Sequence, residues 1–212
     1  DGFADLAVGV PGEDVGSVAL AGAVHVLYGG PGGLSSAGDQ VFHQDSPDVN
    51  DTAENGDEFG FAVTSGDLDA DGFADLAVGV SNVGVGSVAS AGAVHVMYGG
   101  PGGLSAAGDQ VFHQDSPGVN DTAEGFDNFG RTLTSGDFDS DGLADLAVGV
   151  PFEDVGSISD AGAVQVLYGG PAGLSSAGDQ VFHQDSPGVN DTAEAGDNFA
   201  AALVDSAALH SP

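Results

Sequence analysis

Hydrophobic positions along the chain fall in short runs separated by glycine-rich and proline-rich text. No stretch keeps the 3.6-residue period of a helix beyond a turn or two. In the middle of the chain the runs lie at 59–64, 74–80, 93–98 and 110–114, and they predict four strands. Turn-forming residues bound them: Gly99-Gly100-Pro101-Gly102-Gly103 precedes the last run and Ser116-Pro117-Gly118 follows it. The run at 74–80 has no polar face, because Leu76, Val78 and Val80 alternate with Ala77 and Gly79. Such a strand belongs in a sheet covered on both sides.

The same text returns every 70 residues. Gly-Asp-Gln-Val-Phe-His-Gln-Asp-Ser-Pro starts at Gly38, Gly108 and Gly178; Asp-Leu-Ala-Val-Gly-Val starts at Asp5, Asp75 and Asp145; Gly-Ala-Val starts at Gly22, Gly92 and Gly162. One four-stranded antiparallel unit is therefore reused, each copy burying its faces against its neighbours. This predicts an all-β propeller divided as 1–58 (a blade without its first strand), 59–128 and 129–198 (complete blades), and 199–212. In the last segment, 199–204 supplies a lone first strand before a tail. Three blades are fewer than the ~4 to 8 that close a propeller, so the sequence reads as a piece of a larger one, completed by further blades of a longer chain or by self-assembly.

Composition narrows the function. The 212 residues hold 33 acids against one basic side chain, Arg131, for a net charge of −32. That field repels phosphate, which argues against nucleic acid and anionic membrane surfaces as partners. No apolar run reaches the ~20 residues of a membrane-spanning helix, so membrane insertion is not expected. Leu, Ile, Val and Phe still make up a quarter of the chain, enough for a core. Without cysteine there is neither a disulfide framework nor thiol chemistry.

The acids are not spread evenly. Asp67-Leu68-Asp69-Ala70-Asp71-Gly72-Phe73-Ala74-Asp75 joins the first two strands of the middle copy and recurs as Asp137-Phe138-Asp139-Ser140-Asp141-Gly142-Leu143-Ala144-Asp145. Carboxylates at positions 1, 3, 5 and 9 with a backbone carbonyl at 7 suit a hard cation such as Ca²⁺, which takes ~6 to 8 oxygens, and glycine at position 6 permits the sharp turn. The expected ligands are Asp67, Asp69, Asp71, Phe73 and Asp75 in one site, and Asp137, Asp139, Asp141, Leu143 and Asp145 in the other. An EF-hand is excluded because position 12 is Val78 or Val148, not Glu, and the flanks are strands. Asp1 and Asp5 match only positions 5 and 9, a stump of a third site.

Phe59-Gly60 and Phe129-Gly130, the aspartate loop, the Asp145–Pro151 segment and the Gly-Ala-Val triplets, all in phase, resemble the FG-GAP repeat of integrin α-subunit propellers and bacterial extracellular proteins. The resemblance covers nearly the whole chain. It implies a seven-bladed propeller with calcium in the loops between strands one and two. On the opposite face it implies a ligand surface from loops that correspond here to 81–91, 152–161 and 115–128. It further implies a secreted or surface location and a non-catalytic adhesion or ligand-binding role toward an extracellular protein or glycan. Alternatives are a lectin, disfavoured by the absence of Trp for sugar stacking, and an accessory domain of a secreted hydrolase. Departures are Ser81 where other copies have Pro, Ala200 in place of Gly, and loss of the repeat after Val204.

Other recurrent residues carry weaker signals. His43, His113 and His183 repeat in strand four. His25 and His95 repeat in strand three, where the third copy has Gln165, and that exchange predicts a hydrogen-bonding role there. Asn50, Asn120 and Asn190 each open an Asn-Asp-Thr triplet of the N-glycosylation type. No serine or histidine falls into a nucleophile-and-base arrangement, so no catalytic residues are expected. Acids outside the aspartate loops, including Asp115, Asp121, Glu124 and Asp127, are expected to be a hydrated surface suited to a salty setting.

Overall fold

The computed structural model describes residues 2–205. It is all-β, with eleven strands among the described residues and no helix long and apolar enough to cross a membrane. The first sheet holds β1 (Leu6–Val10), β2 (Ala23–Tyr28) and β3 (Ser35–Phe42). The second holds β4 (Ala62–Gly66), β5 (Asp75–Val80), β6 (Ala93–Tyr98) and β7 (Ser105–Phe112). The third holds β8 (Thr132–Gly136), β9 (Asp145–Val150), β10 (Ala163–Tyr168) and β11 (Ser175–Phe182). Every sheet is an antiparallel meander in chain order, three successive propeller blades that do not close into a ring.

Two strands differ from the sequence expectation. The first strand of the middle blade begins at Ala62 and not at 59, because Phe59 N–H bonds the Ala21 carbonyl of the preceding blade and the Gly60 and Phe61 N–H groups both turn to the Gly79 carbonyl, so the regular ladder starts only at Ala62. The fourth begins at Ser105, well before 110. Its opening text, Ser-Ala-Ala-Gly, carries no apolar alternation, yet Ser105 pairs with Tyr98 after an irregularity in the ladder. Beyond Phe112 the chain turns, with Ser116 N–H bonded to the His113 carbonyl at 2.8 Å. The expected strand at 199–204 is not one: those residues form no ladder among the described residues. They lie where a first strand would lie, with Phe199 N–H bonded to the Ala161 carbonyl at 2.8 Å, but among the described residues no second strand of a further blade stands beside them. Asp1 and the tail after Asp205 lie outside the described residues.

Two hydrophobic cores fill the seams between blades. One joins Val24, Val26 and Phe42 of the first blade to Phe59, Leu76, Val78 and Met97 of the second. The other joins Ala77, Val94, Val96 and Phe112 of the second to Phe129, Leu146, Val148 and Leu167 of the third. Hence the unpolarised text of the second strands: β5 and β9 are buried at every position, whereas Leu6 and Val8 of β1, with no described blade before them, are 43% and 39% exposed.

The Phe-Gly and Gly-Ala-Val motifs are two halves of one joint. Phe129, fully buried, donates its N–H to the Ala91 carbonyl at 2.8 Å and bridges to Gly92. A Cβ on Gly92 (φ 85°) would lie closer than 3.0 Å to the Phe129 backbone, and one on Gly79 would strike the Gly130 carbonyl. Backbone touches backbone here, which only glycine allows. Arg131 completes the joint, its guanidinium 4.6 Å from the Phe61 ring centroid and 5.4 Å from that of Phe152.

Candidate metal centres

Each aspartate loop leaves the end of a first strand and must reverse within a few residues. Ala70 and Ser140 take left-handed backbone (φ 64° and 66°), as do Gly72 and Gly142 (φ 90° and 92°). Side chains hold the turn: Asp71 N–H donates to Asp67 Oδ1 and Asp69 Oδ1, both at 3.1 Å, and Gly72 N–H to Asp67 Oδ2 at 3.1 Å. Phe73 N–H donates to Asp71 Oδ1 and Leu143 N–H to Asp141 Oδ1, each at 2.8 Å, so the seventh-position residues are anchored by the fifth.

The ninth position is different in kind. Asp75 is 1% exposed and accepts from Leu68 N–H at 2.7 Å and Gly99 N–H at 2.8 Å, tying loop, second strand and third-strand end together. Asp145 repeats this with Phe138 and Gly169, and Asp5 keeps the bond from Gly29. Burial pushes the Asp75 carboxyl above the usual range against its two backbone bonds, and the charges of Asp69 and Asp71 push it further. Asp145 is raised likewise, by burial and then by Asp139 and Asp141. Carboxylates crowded in this way repel one another, which a cation between them would relieve.

Carboxylate oxygens of Asp67, Asp69 and Asp71 lie within 4.8 Å of one another, as do those of Asp137, Asp139 and Asp145. One loop thus converges on positions 1, 3 and 5 and the other on 1, 3 and 9. Both sets are all-oxygen and anionic, the chemistry of a hard cation. The first loop is also bonded to the next blade. Asp67 and Leu68 carbonyls accept from Ala144 and Gly170 N–H at 3.2 Å, and Leu68 is wholly buried in the second core. Order imposed on the loop is therefore passed to the seam.

A second group of recurrent polar residues lines the seams between blades. Asn50 Nδ2 donates to the Asp109 carbonyl at 2.6 Å, and Asn120 Nδ2 to that of Asp179 at 3.4 Å, so the nitrogens of two glycosylation-type triplets are engaged across seams. Gln44 bonds Asp57 and Gln114 bonds Glu153. His95 meets Asp109, and Gln165 meets Asp179 from the same place in the next blade, the hydrogen-bonding role predicted by the exchange. Several acids expected at a hydrated surface are buried instead: Asp127 is 2% exposed and Asp57 3%, since each accepts a backbone N–H inside a seam. Their 70-residue recurrence was the available signal; the patterns of neighbouring apolar residues are silent about them.

The sequence model of the FG-GAP repeat matches residues 1–27, 59–97 and 129–167. The chain belongs to the FG-GAP repeat family. Each FG-GAP match ends in a third strand, so the seam residues Gln114, Asn120 and Asp127 lie outside it. Phosphatidylinositol-glycan-specific phospholipase D of Bos taurus is 32% identical over 170 residues, 80% of this chain and 19% of that protein. Integrin alpha-E of Mus musculus is 39% identical over 95 residues (43% of this chain, 8% of the integrin), and integrin alpha-5 of Xenopus laevis 34% over 130 (58% and 11%). The chain spans about a fifth or less of the length of these relatives.

Proposed function

We propose that this chain is a calcium-stabilised, non-catalytic FG-GAP propeller module of a secreted or surface-exposed protein, serving adhesion or ligand binding. The observation that carries the reading is the pair of aspartate loops, each gathering three carboxylates within 4.8 Å. Asp67, Asp69, Asp71, the Phe73 carbonyl and Asp75 would hold one Ca²⁺; Asp137, Asp139, Asp141, the Leu143 carbonyl and Asp145 would hold the second. The ion would supply charge neutralisation, and the chain's own residues do the rest. Asp75 and Asp145 orient the loop through backbone bonds, and Leu68 transmits its rigidity to the next blade.

Ligand contact is assigned to the loops 81–91, 115–128 and 152–161, at the other end of the sheets from the aspartate loops, for an extracellular protein or glycan. Further blades, in the longer protein or from self-assembly, would complete the ring. A second reading, accessory domain of a hydrolase, is favoured by the phospholipase D match over 80% of this chain. Both readings share the calcium module.

Calcium at ten times a site's dissociation constant would stabilise the fold by about 1.4 kcal/mol per site. For a domain of this size, removing two ions lowers the melting temperature by roughly 5 to 10 °C. A thermal melt with and without EGTA in low salt measures this, and superimposable melts would refute the calcium role.

A further inference from the structure

We infer that each inter-blade seam is closed by one buried proton, carried by the His95 imidazolium in the first seam and by the Glu153 carboxyl in the second, so that alkaline pH loosens the stack of blades. This does not depend on the calcium reading, since no group involved belongs to an aspartate loop.

In the first seam His95 is fully buried with a carboxylate at each ring nitrogen. Nδ1 is 3.0 Å from Asp109 Oδ2 and Nε2 is 3.5 Å from Asp51 Oδ2. A neutral imidazole donates from one nitrogen only; an imidazolium serves both. Asp109 also accepts from Asn50 N–H, Asp51 and Asp57 share the Gln44 amide, and the Phe59 ring covers the imidazole edge. Burial alone would lower the His95 pKa, but the bonds and charges of Asp109 and Asp51 outweigh it and raise the pKa to about 9.

The second seam has exchanged two residues. Gln165 stands in the place of His95, removing the cation, and Glu153 in the place of Val83, adding an acid. Glu153 is 7% exposed, and its Oε2 accepts from Gln114 Nε2 at 2.6 Å, while the same nitrogen lies 3.5 Å from Asp121 Oδ2. Asp127 and Glu124 complete the acidic group; Asp179 and His183 face Asp121 from the third blade. The chain's one arginine does not neutralise it, for Arg131 is stacked on Phe61 and Phe152 and makes no ion pair among the described residues. With Glu153 and Asp127 buried and neither lysine nor arginine paired to them, carboxylates crowded in this way take up a proton. Burial, then Asp121 and Asp127, push Glu153 up to about 8; burial with Glu124 and Asp121 pushes Asp127 to about 6, so the group titrates as a unit.

Both shifts have the same sign. Glu153 is raised from 4.5 to about 8, so its contribution is complete below about pH 4.5 and disappears as pH rises through about 8. His95 is raised from 6.5 to about 9, so its contribution is complete below about 6.5 and disappears through about 9.

The test is denaturant unfolding of the full chain from pH 5 to 9.5, with calcium saturating and enough NaCl to bring the Debye length below about 5 Å. The wild-type unfolding constant should rise across this range, by up to about tenfold per pH unit for each proton released. Glu153→Val, which installs the residue the second blade already uses, should flatten the limb between pH 5 and 8. His95→Gln, which installs the third blade's residue, should flatten the limb between about 6.5 and 9. A Glu153→Val profile parallel to wild type overturns the second-seam assignment, and a parallel His95→Gln profile the first. Carbon-13 and ring-proton NMR of the unsubstituted chain gives a check independent of variant folding. Titration midpoints above pH 7 for the Glu153 carboxyl and the His95 ring are expected; midpoints at their ordinary values overturn the proposal.

Discussion

Phe129→Ala is expected to cost about 3 to 5 kcal/mol, the range for emptying a buried aromatic site. Phe129 has no exposed surface, and its neighbours Val94, Val96, Leu146 and Val148 belong to both blades of the second seam, so neither sheet can collapse into the void without leaving the other. Gly79→Ala attacks the same joint from the facing strand, where the new methyl would collide with the Gly130 carbonyl and force the blades apart. Urea denaturation measures both. The expected result is a fall in midpoint for each, with a fall in slope if the third blade unfolds on its own. A Phe129→Ala loss under about 1 kcal/mol would mean the seam is not where the stability resides.

Asp75 and Asp71 should separate structure from ion binding. Asp75→Ala leaves the Leu68 and Gly99 N–H groups unpaired, and should cost about 2 to 4 kcal/mol even without calcium, and more with it. Asp71 is exposed, and an asparagine can still accept from Phe73 N–H, so Asp71→Asn should leave the calcium-free protein nearly unchanged while removing the stabilisation that calcium adds at that loop. Melts of both variants with and without EGTA decide it. Equal losses in both conditions for Asp71→Asn would make that residue structural and not a ligand.

What the sequence disclosed follows from where repeat chemistry shows as pattern. The 70-residue interval placed the three sheets, and the third strands fall where the apolar run at 93–98 put them. The early start of β7 was hidden because Ser105 pairs with Tyr98 across an irregularity in the ladder, and the Ser-Ala-Ala-Gly text carries no side-chain alternation to advertise it. At 199–204 the text promised a strand, but a strand needs a partner and the described chain supplies none. The aspartate loops were legible because four acids and a glycine at fixed spacing have few other uses. Buried seam acids were not, since Asp127 and Glu153 resemble solvated loop residues until the neighbouring blade covers them.

The same distinction divides the charge of −32. One part is gathered in the aspartate loops, where Asp71, Asp137, Asp139 and Asp141 are exposed; a second is buried in the seams, where His95 or a proton offsets it; the remainder lies on other surface loops. With zero lysines and the one arginine stacked on Phe61 and Phe152, no lysine or arginine among the described residues pairs with the loops.

Calcium stoichiometry by equilibrium dialysis, in salt that screens diffuse attraction to the acidic surface, tests the central claim most directly. Two ions bound per chain, falling to one in Asp71→Asn and to none when Asp141→Asn is added, is the predicted result. No saturable binding at millimolar calcium, or a count unchanged by both substitutions, would contradict it.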